Sequence, residues 1–446
     1  MRKAMKRLIC SVLTIAFLLS LTACGSDADN ETNIPSKNAT EQTGTASAGG
    51  LPLRMVADGR MQKDYANEMG YYTTLPGYRT EAGENIIYTD FATGTRLYLC
   101  NLPDCQHKDD TCTSYFAGEM CGSSVLVPCG EKLYRFFEGV YTDNGRDSDR
   151  PKIWSMNLDG SDRKLVYTSP NEEQPLFTCT STATDGVNFY FPVNRYEKAT
   201  YDPEKEQSEI NGTYLGCFNM ETQKMTTLCP LPGGVHGGAS WVGCAGREII
   251  GLQYEKDPDT GKNMQYFEAL NVDTLETRHL PVTWEEVSWK RELMGDETYS
   301  RLSQDGKDVE TLDYATGQVK VTELERLIPD QHEVWLVRDG HALISWEEAG
   351  TEQFYALDLE SGEIHQALSI QDEGPKGGNH PSLILAEYEG RYLIEAKQEA
   401  VPITYYHLDG TTEKKTVYLE RQAMIPKEDY WTGNTENMTW IQDKIP

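Results

Sequence analysis

Asp339-Gly340-His341-Ala342-Leu343, followed by Asp358-Leu359-Glu360-Ser361-Gly362, is the pair of sequence elements that decides the fold. The first element is a tight turn before an apolar strand, and its glycine permits the positive φ that such a turn requires. In the second element an aspartate bonds its own backbone and the glycine supplies the left-handed position. Each element therefore predicts a hairpin turn between two β-strands.

Both elements recur along the chain at intervals of roughly 45–60 residues, which is the period of a four-stranded propeller blade. The first element recurs at Gly83, Gly130, Gly186, Gly246, Gly295, Gly340 and Gly390. The second recurs at 90–94, 157–160, 219–222, 271–274, 313–317, 358–362 and 408–410. We therefore predict an all-β fold, a β-propeller of seven blades. Six or eight blades also fit the pattern, and a β-sandwich or β-solenoid of similar hairpins is the alternative.

Few other segments compete with this pattern. Residues 283–294 are the best candidate for a helix, which would be a short insertion. The stretch 71–74 and the segment from 430 to 441 are candidate terminal strands that could complete one blade jointly from both ends of the chain. Such a closure would remove an exposed sheet edge.

The N-terminal 23 residues are typical of a secretory signal. Residues 2–7 carry four positive charges, and the apolar run 8–21 is shorter than the roughly 20 residues that span a bilayer. Leu21-Thr22-Ala23-Cys24 resembles the lipobox of bacterial lipoproteins. The resemblance implies cleavage before Cys24, diacylation of its sulfur, and anchoring at the extracytoplasmic side of the cell membrane, on the surface of a Gram-positive cell. The alternative is an ordinary signal peptide in which Cys24 is incidental.

Residues 24–64 are predicted to be the lipidated cysteine and a disordered tether, and residues 65–446 the propeller. The segment 25–50 contains one Ile and no aromatic residue, too little apolar surface to offset its conformational entropy. Loss of the signal's four positive charges takes the formal net charge from −29 to −33. Such acidity argues against a nucleic-acid partner.

A cysteine-rich insertion is predicted at residues 100–129. Cys100, Cys105, His107 and Cys112 follow the spacing C-x4-C-x-H-x4-C, with Cys121 further along. Three thiolates and one imidazole could complete a tetrahedral site for a structural Zn²⁺. Secreted proteins also pair such cysteines as disulfides, and free thiols are the third alternative.

The repeat resembles TolB-like and YWTD-type propellers, whose blades end in a strand followed by an Asp-x-Asp-Gly-like turn. The resemblance covers residues 65–446 and implies the fold but no ligand, since Asp429-Tyr430-Trp431-Thr432 only approximates the Tyr-Trp-Thr-Asp tetrad. The cysteine-rich segment resembles an insertion after the first blade in lipoproteins of anaerobic Gram-positive bacteria.

Catalytic motifs are scarce. The chain has no Gly-x-Ser-x-Gly nucleophile elbow. Residues 257–261 with Glu268 partly imitate a Ca²⁺ loop, although the same turn is common in hairpins. We therefore expect a non-catalytic binding or assembly module, attached to the membrane by its anchor, with an envelope protein or a glycan as partner. The alternatives are a carbohydrate-active envelope enzyme that uses funnel carboxylates, and a metal or redox sensor built on the cysteine cluster.

Overall fold

The structure is a computed structural model that describes residues 51–57, 65–76, 83–117, 124–138, 150–170, 173–177, 182–196, 210–231, 240–372, 378–407 and 409–445. These residues form seven β-sheets of four to six strands. The predicted all-β propeller with seven blades is confirmed. Cys24 and Cys121 lie outside the described residues.

The first three blades are built mainly from the N-terminal strands. These strands are β1 (Arg54–Ala57), β2 (Gly70–Pro76), β3 (Gly83–Asp90), β4 (Thr95–Tyr98), β5 (Tyr115–Ala117), β6 (Ser124–Cys129), β7 (Lys132–Phe137), β8 (Lys152–Asn157), β9 (Lys164–Thr168), β10 (Glu173–Pro175), β11 (Thr182–Thr184), β12 (Asn188–Tyr196), β13 (Ile210–Asn219) and β14 (Lys224–Pro230). Blade 2 is β6-β7-β8-β9, and blade 3 is β1-β11-β12-β13-β14 with β10 beside β12.

Blades 4 to 6 are regular meanders of four strands in chain order. Their strands are β15 (Ser240–Ala245), β16 (Glu248–Lys256), β17 (Asn263–Asn271) and β18 (Thr277–Glu285), then β19 (Glu292–Met294), β20 (Thr298–Leu302), β21 (Asp308–Asp313) and β22 (Val319–Glu323), then β23 (His332–Arg338), β24 (His341–Glu348), β25 (Thr351–Asp358) and β26 (Ile364–Gln366). The inner strands β19 and β23 of neighbouring blades contact each other, which places the first strand of each meander toward the central channel.

Blade 7 and the closing strand come from the C-terminal part. Its elements are β27 (Ser369–Asp372), β28 (Gly378–Pro381), β29 (Ile384–Tyr388), β30 (Arg391–Tyr406), β31 (Thr412–Pro426), the helix α1 (Lys427–Trp431), β32 (Thr439–Trp440) and β33 (Gln442–Asp443). Blade 7 has the order β28-β27-β30-β31-β32 with β29 beside β30. Among the described residues no helix is long and apolar enough to cross a membrane.

Blade 1 closes the ring with strands from both ends of the propeller. It has the order β2-β3-β4-β33, and β33 runs parallel to β4 with Gln442 opposite Thr95. The candidate 71–74 therefore lies in the closing blade as predicted. At the other end, however, residues 430–431 lie in α1 and Trp440 lies in blade 7. The closing strand is Gln442–Asp443, just after the predicted segment.

The repeated turns form as predicted in most copies. Gly130, Gly186, Gly246, Gly340 and Gly390 have positive φ, and the aspartates of the second element accept backbone N–H groups two or three residues on, as Asp358 does from Glu360 and Ser361. Gly83 differs because it lies inside a strand. A side chain there would overlap the ring of Tyr115, so this glycine permits a close approach and makes no turn.

The helix predicted at 283–294 is absent. Strand β18 continues to Glu285, a 3-10 turn occupies Trp289–Arg291, and β19 follows. Leu280 and Trp284 are buried while the residues between them are more exposed, so the segment follows a two-residue strand period. The helical reading was wrong because it gave weight to the polar residues after that strand.

Strand β1 extends the propeller ahead of the predicted boundary at residue 65. It pairs antiparallel with β11 and contacts β15, and therefore lies on the channel side of blade 3. Met55 is buried in an apolar cluster formed by blades 3 and 4, and Val56 in a second cluster that includes residues of blades 1, 2 and 3.

A long hairpin departs from the blade pattern. Strands β30 and β31 pair along their whole length, with a bulge between Glu395 and Lys397. Beyond this bulge, residues 397–421 form an extension that we call the arm. In the last predicted copy of the repeat, Leu408 lies outside the described residues, and Asp409 and Gly410 lie at the tip of the arm rather than at a blade turn.

Candidate metal centre

The outer part of blade 1 contains a strand that is broken in two. Strand β4 pairs with Ile87–Asp90 of β3, and β5 pairs with Gly83–Asn85 of the same strand. Ile86, between these two pairings, accepts the N–H of Leu99 and donates to the carbonyl oxygen of Ser114, both at 2.9 Å, and the residues between Leu99 and Ser114 leave the sheet. After the loop, β5 pairs again with β3, the strand with which β4 pairs before it. The loop itself must therefore be held together by contacts other than strand pairing.

The loop brings four metal-binding side chains together. The ligand atoms of Cys100, Cys105, His107 and Cys112 all lie within 4.8 Å of one another. A tetrahedral Zn²⁺ with Zn–S bonds of about 2.3 Å requires sulfur atoms about 3.8 Å apart. The observed set therefore fits a tetrahedral ion with small adjustments of side-chain rotamers.

Neighbouring groups orient the histidine of this set. The ring of His107 stacks on Tyr98 with centroids 4.1 Å apart, and its Nδ1 lies 3.2 Å from the sulfur of Cys112. The Asn85 amide donates to the carbonyl oxygen of His107 at 3.2 Å and to the hydroxyl of Ser114 at 3.0 Å. Such outer contacts fix ligand orientation in metal sites.

The thiols of the set differ in acidity. Burial raises the pKa of the Cys112 thiol to about 12, and the adjacent Cys100 contributes to the increase. The pKa of Cys100 is lowered: burial acts upward, but hydrogen bonds from Leu102 and Thr113 outweigh it. A bound cation would favour the thiolate form of both residues.

Blade 2 clamps the far end of the loop. The guanidinium of Arg163 donates to the carbonyl oxygens of Thr113 at 2.6 Å and Tyr115 at 2.8 Å, and it lies 3.8 Å from the ring of Phe116. Arg135 also lies over that ring, 4.3 Å from its centroid, and pairs with the buried carboxylate of Glu84. Burial, and then the charge of Arg163, lower the pKa of Arg135 to about 9.

Four of the five predicted site residues thus lie together, and the fifth, Cys121, is outside the described residues. The described cysteines form no disulfide. The insertion is shorter than the predicted 100–129, because Cys129 ends strand β6 of blade 2. Whether its cysteines are metallated or bridged stays a prediction.

The calcium loop considered at residues 257–261 is a hairpin turn. Asp257 accepts the backbone N–H groups of Asp259 and Thr260, both at 2.8 Å, while Glu268 faces His279 at 3.6 Å. Within the described part of the chain, the cysteine–histidine set is the one group of three or more ionisable ligands that is compact enough to hold an ion.

Sequence reasoning did not identify the residues that support the set. Asn85 belongs to β3 and Arg163 to the strand region of blade 2, both far from the cysteines in sequence. Tyr98 carried the only local signal, because an aromatic residue two positions before Cys100 can stack on a nearby imidazole.

Comparison with known proteins gives similarity at the level of fold. No protein-family model matches the chain, and the search of curated proteins finds no match. The acylaminoacyl peptidase of Pyrococcus horikoshii is 13% identical over 81% of this chain and 48% of its own, with a TM-score of 0.39. This chain therefore spans about half of that peptidase.

Two further solved structures are similar. The β-propeller domain of the Trilobed protease from Pyrococcus furiosus, described as an open velcro topology, is 10% identical over 80% of this chain and 96% of its own, with a TM-score of 0.35. A puromycin-hydrolyzing peptidase of Mycobacterium tuberculosis is 12% identical over 90% and 56%, with a TM-score of 0.43. Similarities of this size carry no inference about activity.

Proposed function

We propose that this chain is a non-catalytic binding module whose first blade is held in shape by Zn²⁺ bound to Cys100, Cys105, His107 and Cys112. The observation that carries the proposal is the set of four protein ligands within 4.8 Å of one another. Structural zinc sites use four protein ligands, whereas catalytic zinc sites use three and leave a position for water or substrate. A four-ligand set therefore favours a structural ion.

The broken outer strand explains why blade 1 would need an ion. Ile86 of β3 still bonds Leu99 and Ser114 at the two ends of the loop, but residues 100–113 between them pair with no strand. A metal bound by Cys100 and Cys112 would hold this part of the loop, which the sheet does not hold. A disulfide would join only two of the three sulfurs. The third thiol and the imidazole would then not help to hold the loop.

A binding role at the cell envelope is the second part of the proposal. The lipobox-like Leu21-Thr22-Ala23-Cys24 supports an anchor at Cys24, and the propeller supports display of loops to a partner. Strand β1 on the channel side of blade 3 occupies space that a funnel substrate would use. An envelope protein or glycan remains the proposed class of partner.

Metal content is the decisive measurement for the zinc part. The full-length chain, purified without reductant or chelator, should carry one Zn²⁺ per molecule by native mass spectrometry and elemental analysis. Cys112→Ser should remove the ion, whereas Cys229→Ser, a half-buried cysteine in blade 3, should retain it. A wild-type chain that carries no metal and shows a mass lower by two hydrogen atoms per bridged cysteine pair would contradict the proposal in favour of disulfides.

The anchor and the partner need separate experiments. Cells fed with an alkyne-labelled fatty acid should label the wild-type chain and not Cys24→Ser, which should appear in the medium. Pull-down of the anchored chain from its own membranes, compared with the released Cys24→Ser variant, would then identify partners. Hydrolysis of envelope glycans by the purified chain would instead favour the enzyme alternative.

A further inference from the structure

The arm at residues 397–421 packs on the same part of blade 1 that carries the metal centre. Its buried face contributes Ile403 and Leu419, which lie in one apolar cluster with Ile87 and Tyr98 of blade 1. Cys100, one of the four metal-binding residues, packs against this cluster. The arm and the centre therefore share side chains.

Two further contacts join the loop to the arm. Tyr98 belongs to the apolar cluster and also stacks on the ring of His107 at 4.1 Å. Lys108, the residue after His107, places its ammonium 4.8 Å from the ring centroid of Tyr406, near the arm tip. A cation over an aromatic face is attractive at this distance. Displacement of His107 would therefore disturb both contacts.

The root of the arm is held independently of the loop. Arg421 pairs with Glu399 and with Asp443 of the closing strand, both at 2.6 Å. Arg96 of β4 donates to the carbonyl oxygen of Glu420 at 2.6 Å. The outer half of the arm, from 401 to 419, lies beyond these ion pairs and depends on the apolar cluster for its attachment to blade 1.

We propose that the metal centre locks the outer half of the arm against blade 1, so that metal loss releases it. The inference rests on the proposed zinc site and adds its regulatory consequence. Binding at the centre orders the loop 99–114, the loop positions Cys100 and Tyr98, and these two residues complete the surface on which Ile403 and Leu419 pack. Release would expose that apolar face while the ring stays closed.

Linkage requires the coupling to act in both directions. If zinc stabilises the docked arm, the docked arm must strengthen zinc binding by the same free energy. Leu419→Ser, which changes the arm and none of the four ligands, should therefore still bind zinc, but with a several-fold higher Kd in equilibrium competition with a chelator. Tyr418→Ser is the matched control, because Tyr418 is a neighbouring arm residue that lies partly exposed to solvent.

Hydrogen exchange on the full-length chain tests the lock directly. Treatment with the chelator dipicolinate should speed amide exchange in peptides from 401–419 by at least about tenfold, a typical effect of local opening. A blade 6 peptide from 341–358 should not change. Re-addition of Zn²⁺ should restore protection in the arm. Lys108→Ala should also speed amide exchange in the arm with zinc bound, but by a smaller factor. This variant changes neither a metal ligand nor a core residue.

Native mass spectra of the same samples separate the outcomes. Bound zinc with arm exchange that does not depend on it would overturn the lock and leave the zinc site standing. A chain without metal would remove both the lock and the zinc part of the proposed function. Faster exchange in blade 6 together with the arm would also overturn the lock, because it would show that the whole ring opens.

Discussion

Blades 1 and 6 are both complete sheets of the propeller, but different interactions hold their strands together. Blade 6 is a meander of four strands, β23 to β26, connected by short turns and held by consecutive hairpin pairing. Blade 1 combines strands from both ends of the propeller, an outer strand broken at 99–114, and a closing strand of two residues. Backbone pairing is sufficient in blade 6, whereas blade 1 depends on side chains at each of its irregular points.

The two blades also contain histidines in similar stacks. His107 lies 4.1 Å from the ring of Tyr98, and His341 lies 4.7 Å from the ring of Trp431 at an interplanar angle of 10°. The stack of His341 on Trp431 is one of many contacts that hold blade 6, which is a continuous sheet. The blade 1 residue is one of four groups that converge in a loop outside the sheet.

Substitution of these two histidines should produce the largest difference. We expect His107→Ala to lower the free energy of unfolding by about 4 kcal/mol or more in the zinc-bound protein, because loss of a ligand removes metal-binding energy as well as packing. His341→Ala should cost about 1 kcal/mol, the value of a stacked aromatic contact. Denaturant unfolding with excess Zn²⁺ measures both. Equal costs would contradict a structural role of the centre.

The closing strand should show the next largest effect. Asp443, whose side chain is 9% exposed, pairs with Arg421 at 2.6 Å and Arg96 at 3.5 Å. Asp443→Asn removes the one carboxylate that both guanidinium groups share and leaves Arg421 with Glu399 and Arg96 with the carbonyl oxygen of Glu420, and we expect a cost of about 3 kcal/mol. The blade 6 comparison is Glu360→Gln at the exposed pair with Lys320, which should cost less than about 0.5 kcal/mol. Thermal unfolding of the two variants decides the ranking.

Two glycines in turns of blade 6 test whether a glycine is needed there for close contact with the next blade or only for its positive φ. Gly362 and Gly350 both have positive φ, but a side chain at Gly362 would overlap the carbonyl oxygen of Glu323 in blade 5, and Gly350 has open space. Gly362→Ala should cost about 2 kcal/mol and Gly350→Ala about 1 kcal/mol, since the second variant carries only backbone strain. Similar melting temperatures for both would show that contact between blades adds nothing at this turn.

The last comparison concerns pH at the root of the arm. Burial, and then the carboxylate of Glu420, raise the pKa of Glu395 from 4.5 to about 8. Between these values the folded protein holds a proton that the unfolded chain has lost, so stability falls as pH rises from about 4.5 to 8. Glu395→Gln mimics the protonated form and should therefore be more stable than wild type at pH 8.5.

At pH 5 the same variant should match wild type, because the wild-type carboxyl is then protonated as well. The control is Glu276→Gln at an exposed turn of blade 4, which should behave alike at both pH values. A Glu395→Gln variant that is less stable than wild type at pH 8.5 would contradict the raised pKa.

The regular part of the molecule could be predicted from local rules. A glycine with positive φ and an aspartate that bonds its own backbone are properties of four or five residues, and they mark turns such as 340 and 358–362 correctly. The same rules misplaced the copies at Gly83 and Leu408–Gly410, because a turn residue does not reveal whether its hairpin belongs to a blade or to an arm.

The candidate site was predictable in its ligands but not in its surroundings. Sulfur and imidazole groups spaced within thirteen residues predicted either disulfides or a structural metal site, with free thiols as the third alternative, and the structure brings Cys100, Cys105, His107 and Cys112 together. The contact with Ile403 and Leu419 joins residues about 300 positions away, through a hairpin whose length no local pattern indicates. Long-range packing of this kind depends on the closed ring.

Strand β1 would have a mechanical consequence if the proposed anchor at Cys24 holds the protein by its N-terminus. The chain enters the ring at blade 3, where β1 lies antiparallel to β11, and Arg247 donates to the carbonyl oxygen of Leu51 while the N–H of Leu53 donates to Gly246. Tension applied ahead of residue 51 is thus first resisted by bonds to blades 3 and 4. The two-residue closing strand in blade 1 is spared that load until β1 has been pulled away.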